Sequence, residues 1–149
     1  MLPEQDVREW MRKADQDRRL AQAALEQSPP ITDGAAFHCQ QAVEKLLKAY
    51  LVFRSHPFEK IHDLRALTIE CVRFDPGFTS LQAEIVPLTA YAVRFRYPGP
   101  VDPTVEQVRD ALEVVQRVQR WVERLTTRPV PPVPQDQAPD GTGANDSAH

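Results

Sequence analysis

Two arginines and a tyrosine stand together near the end of a helical segment: Arg94, Arg96 and Tyr97, just before Pro98-Gly99-Pro100. A guanidinium group matches a phosphate with two parallel N–H donors, and a tyrosine can stack on a base or donate to an oxyanion. The same residues also have a purely structural reading. Arginine is favoured near a helix C-terminus by the helix dipole, and tyrosine packs with its hydroxyl at the rim.

A second polar set, Gln41, Lys45 and Lys48, recurs at i, i+4, i+7, so it shares one helical face, opposite Cys39, Val43 and Leu46. Glu44 and Lys48 have ion-pair spacing on that helix. The face is either solvated, or a groove that meets the arginines, or a dimer seam, which Phe37 at the same end would favour. Among the histidines, His62 is the stronger ligand-binding candidate and His38 the weaker, and His62 precedes Asp63 where a short helix should start. Neither has a second ligand at metal-binding spacing, so no metal and no cofactor is expected. Asp17 falls on an apolar stripe between Ala14 and Ala21, and a buried carboxylate there needs a cationic partner, which it would orient.

Helices must position these groups. Residues 4–27 place Val7, Trp10, Ala14, Ala21, Ala24 and Leu25 on one stripe, and Ser28-Pro29-Pro30 ends the run. A second helix is expected over 33–54, with Asp33 as its N-cap and Ala36, Cys39, Val43, Leu46, Leu47 and Tyr50 inward. A shorter helix over 62–74 follows, on Leu64, Leu67, Cys71 and Phe74, then a turn at Asp75-Pro76-Gly77. Thr79-Ser80-Leu81-Gln82 has capping-box spacing and opens a fourth helix, with Leu81, Ile85, Leu88, Ala92 and Phe95 inward and a kink or break at Pro87. The last helix, capped by Asp102 with Pro103 in its first turn, carries Val105, Val108, Leu112, Val115, Val118, Val122 and Leu125. No segment alternates with period two. The fold class is therefore all-α: an antiparallel, up-and-down bundle of four to five helices.

The chain has 149 residues and a net charge of −3, sized for one domain with a real core. From Pro129 onward the charged residues are Asp136, Asp140 and Asp146, so residues 1–128 are formally neutral. A neutral domain can hold a local basic site but lacks the field of a dedicated duplex-DNA binder. Residues 129–149, rich in Pro, Gly, Ala and Asp, read as a disordered tail. The two cysteines, Cys39 and Cys71, have neither CxxC spacing nor a disulfide framework, and no apolar run nears the roughly 18 residues that span a bilayer. With no secretory pattern at the N-terminus, a cytoplasmic protein without a membrane partner is expected.

Four patterns, in order, resemble the HEPN family (higher eukaryote and prokaryote nucleotide-binding): Trp10…Ala14-x-x-Asp17…Ala21; the run Phe37-His38-Cys39-Gln40-Gln41-Ala42-Val43-Glu44-Lys45-Leu46-Leu47-Lys48-Ala49; His62-Asp63-Leu64-x-x-Leu67; and Arg96-Tyr97-Pro98. Arg18 stands where the family usually has an apolar residue, which implies different packing at that point of the first helix. The resemblance implies a homodimeric helical bundle of a toxin–antitoxin or defence-type system, often paired with a small nucleotidyltransferase. Many members are metal-independent ribonucleases with an Arg-x(4–6)-His motif, in which histidine moves a proton and arginine neutralises phosphate charge. No arginine here is followed by a histidine at that spacing. Arg54 and His62 have seven residues between them and straddle a loop. The implied function is a nucleotide- or RNA-phosphate-binding module working with a nucleotidyltransferase, leaning away from an enzyme. The alternatives are a metal-independent ribonuclease toxin and a pure dimerisation or interaction module.

Overall fold

The computed structural model describes residues 3–58, 61–96 and 101–127, apart from the side chains of 3–5 and 93–96. Six α-helices appear in this order: α1 (Pro3–Leu25), α2 (Thr32–Phe53), α3 (Leu64–Phe74), α4 (Thr79–Ile85), α5 (Thr89–Arg96) and α6 (Val105–Thr127). The described residues contain no strand. The chain is the all-α bundle its periodicity implies. The fourth expected helix is divided at Pro87, where the 3-10 turn Val86–Leu88 separates α4 from α5.

The centre of the bundle is α2, which packs against α1, α3, α5 and α6. None of its residues is exposed. Such a helix must be apolar nearly all round, and Ala35, Ala36, Cys39, Ala42, Val43, Leu46, Leu47, Ala49 and Leu51 are all buried. The small residues among them let neighbouring helices approach closely. Against this axis α6 contributes Val108, Val115, Val118 and Val122, and α1 contributes Ala14 and Ala21.

Aromatic contacts give the direction of the remaining helices. Phe78, completely buried, lies 5.0 Å from the ring of Tyr50 and 6.3 Å from that of Trp121. The C-terminal ends of α2 and α6 and the start of α4 therefore meet at one end of the bundle. Arg117 reaches Glu84 with two hydrogen bonds, 2.6 and 3.3 Å, so α4 runs antiparallel to α6. The long elements thus go up (α1), down (α2), up (α4–α5) and down (α6), with α3 a short insertion beside the end of α2.

Three helix ends differ from the expected caps. The N-cap of α2 is Ile31, and Asp33 lies inside the first turn, its carboxylate accepting from the Gly34 amide at 2.8 Å. Phe78 precedes α4 with no side-chain cap, because the 3-10 turn Pro76–Phe78, closed by Asp75 accepting from Gly77, already feeds the chain in helically. At α6 the cap is Thr104 rather than Asp102. Its hydroxyl accepts from the Gln107 amide at 3.0 Å, while the Gln107 side chain accepts from the Thr104 amide at 2.9 Å. That reciprocal pair is a capping box. Asp63 does cap α3, accepting from the Arg65 amide.

Candidate functional site

The polar residues of α2 are placed by the contact between α1 and α2. Helices joined by a tight turn run antiparallel, and here Ile31 donates back to the Ala24 carbonyl at 2.9 Å. Residues 17 and 38 are thereby set opposite one another. His38, Gln41, Lys45 and Lys48 share one face of α2, as their spacing requires. At His38, Lys45 and Lys48 that face is turned toward α1, and His38 and Lys45 stay partly open to solvent.

Asp17 sits at the middle of this seam, 5% exposed. One carboxylate oxygen takes the Lys45 ammonium and the other lies 2.8 Å from Nδ1 of His38. This is the cationic partner that a carboxylate on the apolar stripe of α1 requires. A carboxylate can only accept, so the contact puts the proton of His38 on Nδ1 and leaves Nε2 as the basic nitrogen. His38 forms no other hydrogen bond among the described residues, and about a quarter of its side chain, 27%, is exposed. Arg18 pairs with Asp15 one turn away at 2.9 Å, so its charge is met at the flank and does not enter the seam.

One turn beyond Lys45 on α2, Lys48 is the centre of a second cluster. Its ammonium donates to Glu44 at 3.0 Å and lies 3.3 Å from Nδ1 of His62. It also sits 5.6 Å from the ring centroid of Trp10 and 5.5 Å from that of Phe58, which contact each other edge to face. Lys48 is 5% exposed. An ammonium this deep persists because a carboxylate and two aromatic faces replace its water. His62, with 73% of its side chain exposed, closes the cluster toward solvent, 3.5 Å from Glu44. Gln41 donates to Gln40 at 2.8 Å.

The sequence candidates are therefore distributed unevenly. Lys45 and Lys48 are both already engaged by carboxylates, and His62 joins the Lys48 cluster. Arg94 and Arg96 belong to α5, which packs on α2, while their side chains and all of Tyr97 lie outside the described residues, as does the tail at 129–149. The pairing of His38 with Asp17 was missed by reading the histidine alone. The available signal was the coincidence of a polar residue on the apolar stripe of α1 with one on α2.

Among the described residues, no group of three or more His, Cys, Asp or Glu is arranged to hold a metal ion, and no helix is long and apolar enough to cross a membrane. Cys39 and Cys71 are free and buried. Burial pushes the Cys39 thiol up to about 12 and the Cys71 thiol further in the same direction, which makes both poor nucleophiles.

No curated protein and no solved structure matches the chain. A family model described as the HEPN domain matches residues 7–125, which spans α2 whole, the seam, and all of the bundle except the outermost residues of α1 and α6. The chain belongs to the HEPN family.

Proposed function

We propose that this chain is a phosphate-binding HEPN module. It takes a nucleotide or an RNA phosphate at the end of α5, where Arg94, Arg96 and Tyr97 follow one another. The observation that carries the reading is the path of α4–α5. That path starts beside Tyr50 at one end of α2 and runs antiparallel to α6, with α5 packed on α2. From Thr79 to Arg96 a helical chain rises roughly 25 Å at about 1.5 Å per residue. The same length measured back along α2 reaches its first turns, where Phe37 and His38 lie. On this reading the end of α5 lies near the level of the imidazole that Asp17 anchors, and guanidinium groups supplied from there would suit a phosphate. Lys45 and Lys48 support this arrangement by fixing the seam through Asp17 and Trp10 rather than by offering free charge, and Gln41 flanks them on the same face.

On this reading the protein acts as a homodimer with a nucleotidyltransferase partner, in a toxin–antitoxin or defence-type setting in the cytoplasm. The test is a thermal-shift titration with ATP. A rise in Tm that saturates, weakens with added salt and is lost in Arg94→Gln/Arg96→Gln supports the reading. An unchanged Tm in the wild-type chain refutes it.

A second reading, a metal-independent ribonuclease, draws on the Asp17–His38 pair. A carboxylate that fixes the tautomer of an imidazole leaves its other nitrogen ready to take a proton from a 2′-hydroxyl. Cleavage of single-stranded RNA in EDTA, lost in both His38→Ala and Arg96→Ala, would select this reading. The absence of cleavage would remove it.

A further inference from the structure

The charges of α6 are divided along its length. Its first half carries Glu106, Arg109, Asp110 and Glu113, and its second half Arg117, Arg120, Glu123 and Arg124. The first half is therefore net negative and the second net positive. Arg117 is committed to Glu84 by its two hydrogen bonds. Arg120 and Arg124 form no ion pair among the described residues, and both are exposed. The helix dipole accounts for a cation in the last turn, where Arg124 stands. Arg120 lies a turn further in, and like charges at i, i+4 repel each other.

All three arginines line a groove of about 630 Å³ between α4 and α6, together with Ser80 of α4 and Thr127, the last residue of α6. Arg124 lies 4.9 Å from the centroid of the Trp121 ring, which holds the guanidinium in place. A guanidinium that stacks by its face keeps its in-plane N–H donors for a carboxylate. The carboxylate already in the groove does not answer them. Glu123 accepts from Gln119 and pairs with neither arginine. The groove therefore presents two fixed cations that lack counter-charges, and an acidic segment would complete them.

We propose that the chain's own acidic segment, residues 136–146, occupies this groove, with its aspartates on Arg120 and Arg124. That segment lies outside the described residues, and charge and reach are what assign it here. From Pro129 onward the charged residues are Asp136, Asp140 and Asp146, all negative. The chain also departs at the groove itself: Thr127 lines it, and Pro129 cannot extend the helical ladder. Arg120 is seven residues before Thr127, roughly 10 Å along a helix. Residues 129–134 span about 19 Å in the polyproline conformation. The twelve residues from 135 to 146 can extend roughly 40 Å more, enough to return to the groove whichever way the prolines point. The tether keeps the aspartates at a high effective concentration, so two modest surface ion pairs suffice. The negative first half of α6 repels the same segment, which confines it to the second half. This contact does not involve α5 and stands whether or not the phosphate reading does.

The experiment is paramagnetic relaxation in the full chain, with a nitroxide on Thr142→Cys. Cys39 and Cys71 are buried, so the folded chain takes the label at one site. At low salt the amides of Ser80, Arg120 and Arg124 should lose at least half of their intensity, while Arg109 on the first half of α6 keeps its own. Asp136→Asn/Asp140→Asn/Asp146→Asn, which leaves every residue of the bundle in place, should shrink the loss at least twofold. Salt at about 1 M, where the Debye length is about 3 Å, should do the same. Arg120→Asp/Arg124→Asp should also release the segment, and adding Asp140→Arg/Asp146→Arg should bring it back. A mixture of ¹⁵N chain without nitroxide and unlabelled chain with it should show no loss. Three results overturn the proposal. Equal losses in the aspartate-to-asparagine variant would mean that the tether alone brings the segment near, leaving the groove to another acidic partner. A full loss in the mixed sample would make a second copy the occupant. Failure of the double charge reversal to restore the contact would remove the pairing with Arg120 and Arg124.

Discussion

Oδ1 of Asp17 lies 2.8 Å from Nδ1 of His38, a contact between residues 21 apart that joins α1 to α2. The other oxygen of the same carboxylate holds Lys45. One side chain therefore neutralises a cation, fixes an imidazole tautomer and ties the first helix to the central one. Any function of His38 depends on it.

Asp17→Asn keeps the shape but gives Lys45 no counter-charge. Removing one partner of a fully buried pair costs about 3–5 kcal/mol. Lys45 retains 26% of its side-chain exposure, which screens the loss, so about 2–3 kcal/mol is expected. Urea unfolding reads the stability, and the ¹⁵N shifts of the His38 ring should move from a single Nδ1–H tautomer to a mixture. A loss under about 0.5 kcal/mol with unchanged His38 shifts would contradict this account.

Lys48 and Glu44 should behave non-additively. Lys48→Met leaves the Glu44 carboxylate, only 11% exposed, without its ammonium, and a cost of about 3 kcal/mol is expected. Pairing it with Glu44→Met removes the orphaned charge and places two flexible apolar chains beside Trp10 and Phe58. The double variant should recover most of the loss, with a coupling above about 1 kcal/mol in a double-mutant cycle. Simple addition of the two single effects would show that the pair is not the unit described.

Stability should fall at alkaline pH. The Cys39 thiol is raised from 9.0 to about 12 and Cys71 is shifted the same way, both by burial. Below 9 the thiols are protonated in both states and their contribution is complete. Above 9 the unfolded chain loses protons that the folded chain retains, so the unfolding free energy drops as pH rises toward the folded pKa. Each thiol adds a slope of up to about 1.4 kcal/mol per pH unit. Burial raises Tyr50 from 10.0 to about 12, which adds to the trend above 10. Urea midpoints measured from pH 8 to 11 should decline, and the decline should be shallower in Cys39→Ala/Cys71→Ala. At pH 7.5 neither thiol should react with an alkylating reagent until denaturant is added.

Ser55 ends α2 at φ 55, in the left-handed region that favours glycine. It is the turning residue of a Schellman motif: His56 donates to the Leu51 carbonyl and Ser55 to the Val52 carbonyl, both at 2.9 Å. Ser55→Gly removes a Cβ penalty of about 1–2 kcal/mol but frees the unfolded chain by part of that. A net gain near 1 kcal/mol, a Tm rise of about 4 °C, is expected by calorimetry. A fall in Tm would mean that the Ser55 side chain holds the motif in a way its geometry does not reveal.

Periodicity alone determined the helices and most of the core. Leu46, Leu47, Leu64, Leu67, Ile85, Val108, Val115 and Val118 were legible as inward residues because apolar groups at 3/4 spacing have no other stable place in water. The break at Pro87 was legible too, since proline cannot donate to the ladder. Caps were less so. Thr104-x-x-Gln107 has the capping spacing but competes locally with Asp102, and Thr79-x-x-Gln82 has it but is pre-empted by the 3-10 turn at Pro76–Phe78. Phe78 went unread as core because it follows a turn signal, whereas its burial comes from Tyr50 and Trp121, far away in sequence. Only the tertiary structure decided which polar faces meet. Lys45 and Lys48 have the spacing of a solvated stripe, and nothing local distinguishes that from a buried one. The distinction lies in α1 bringing Asp17 and Trp10 onto it, and pairing across a helix interface depends on through-space distance, which local spacing does not encode.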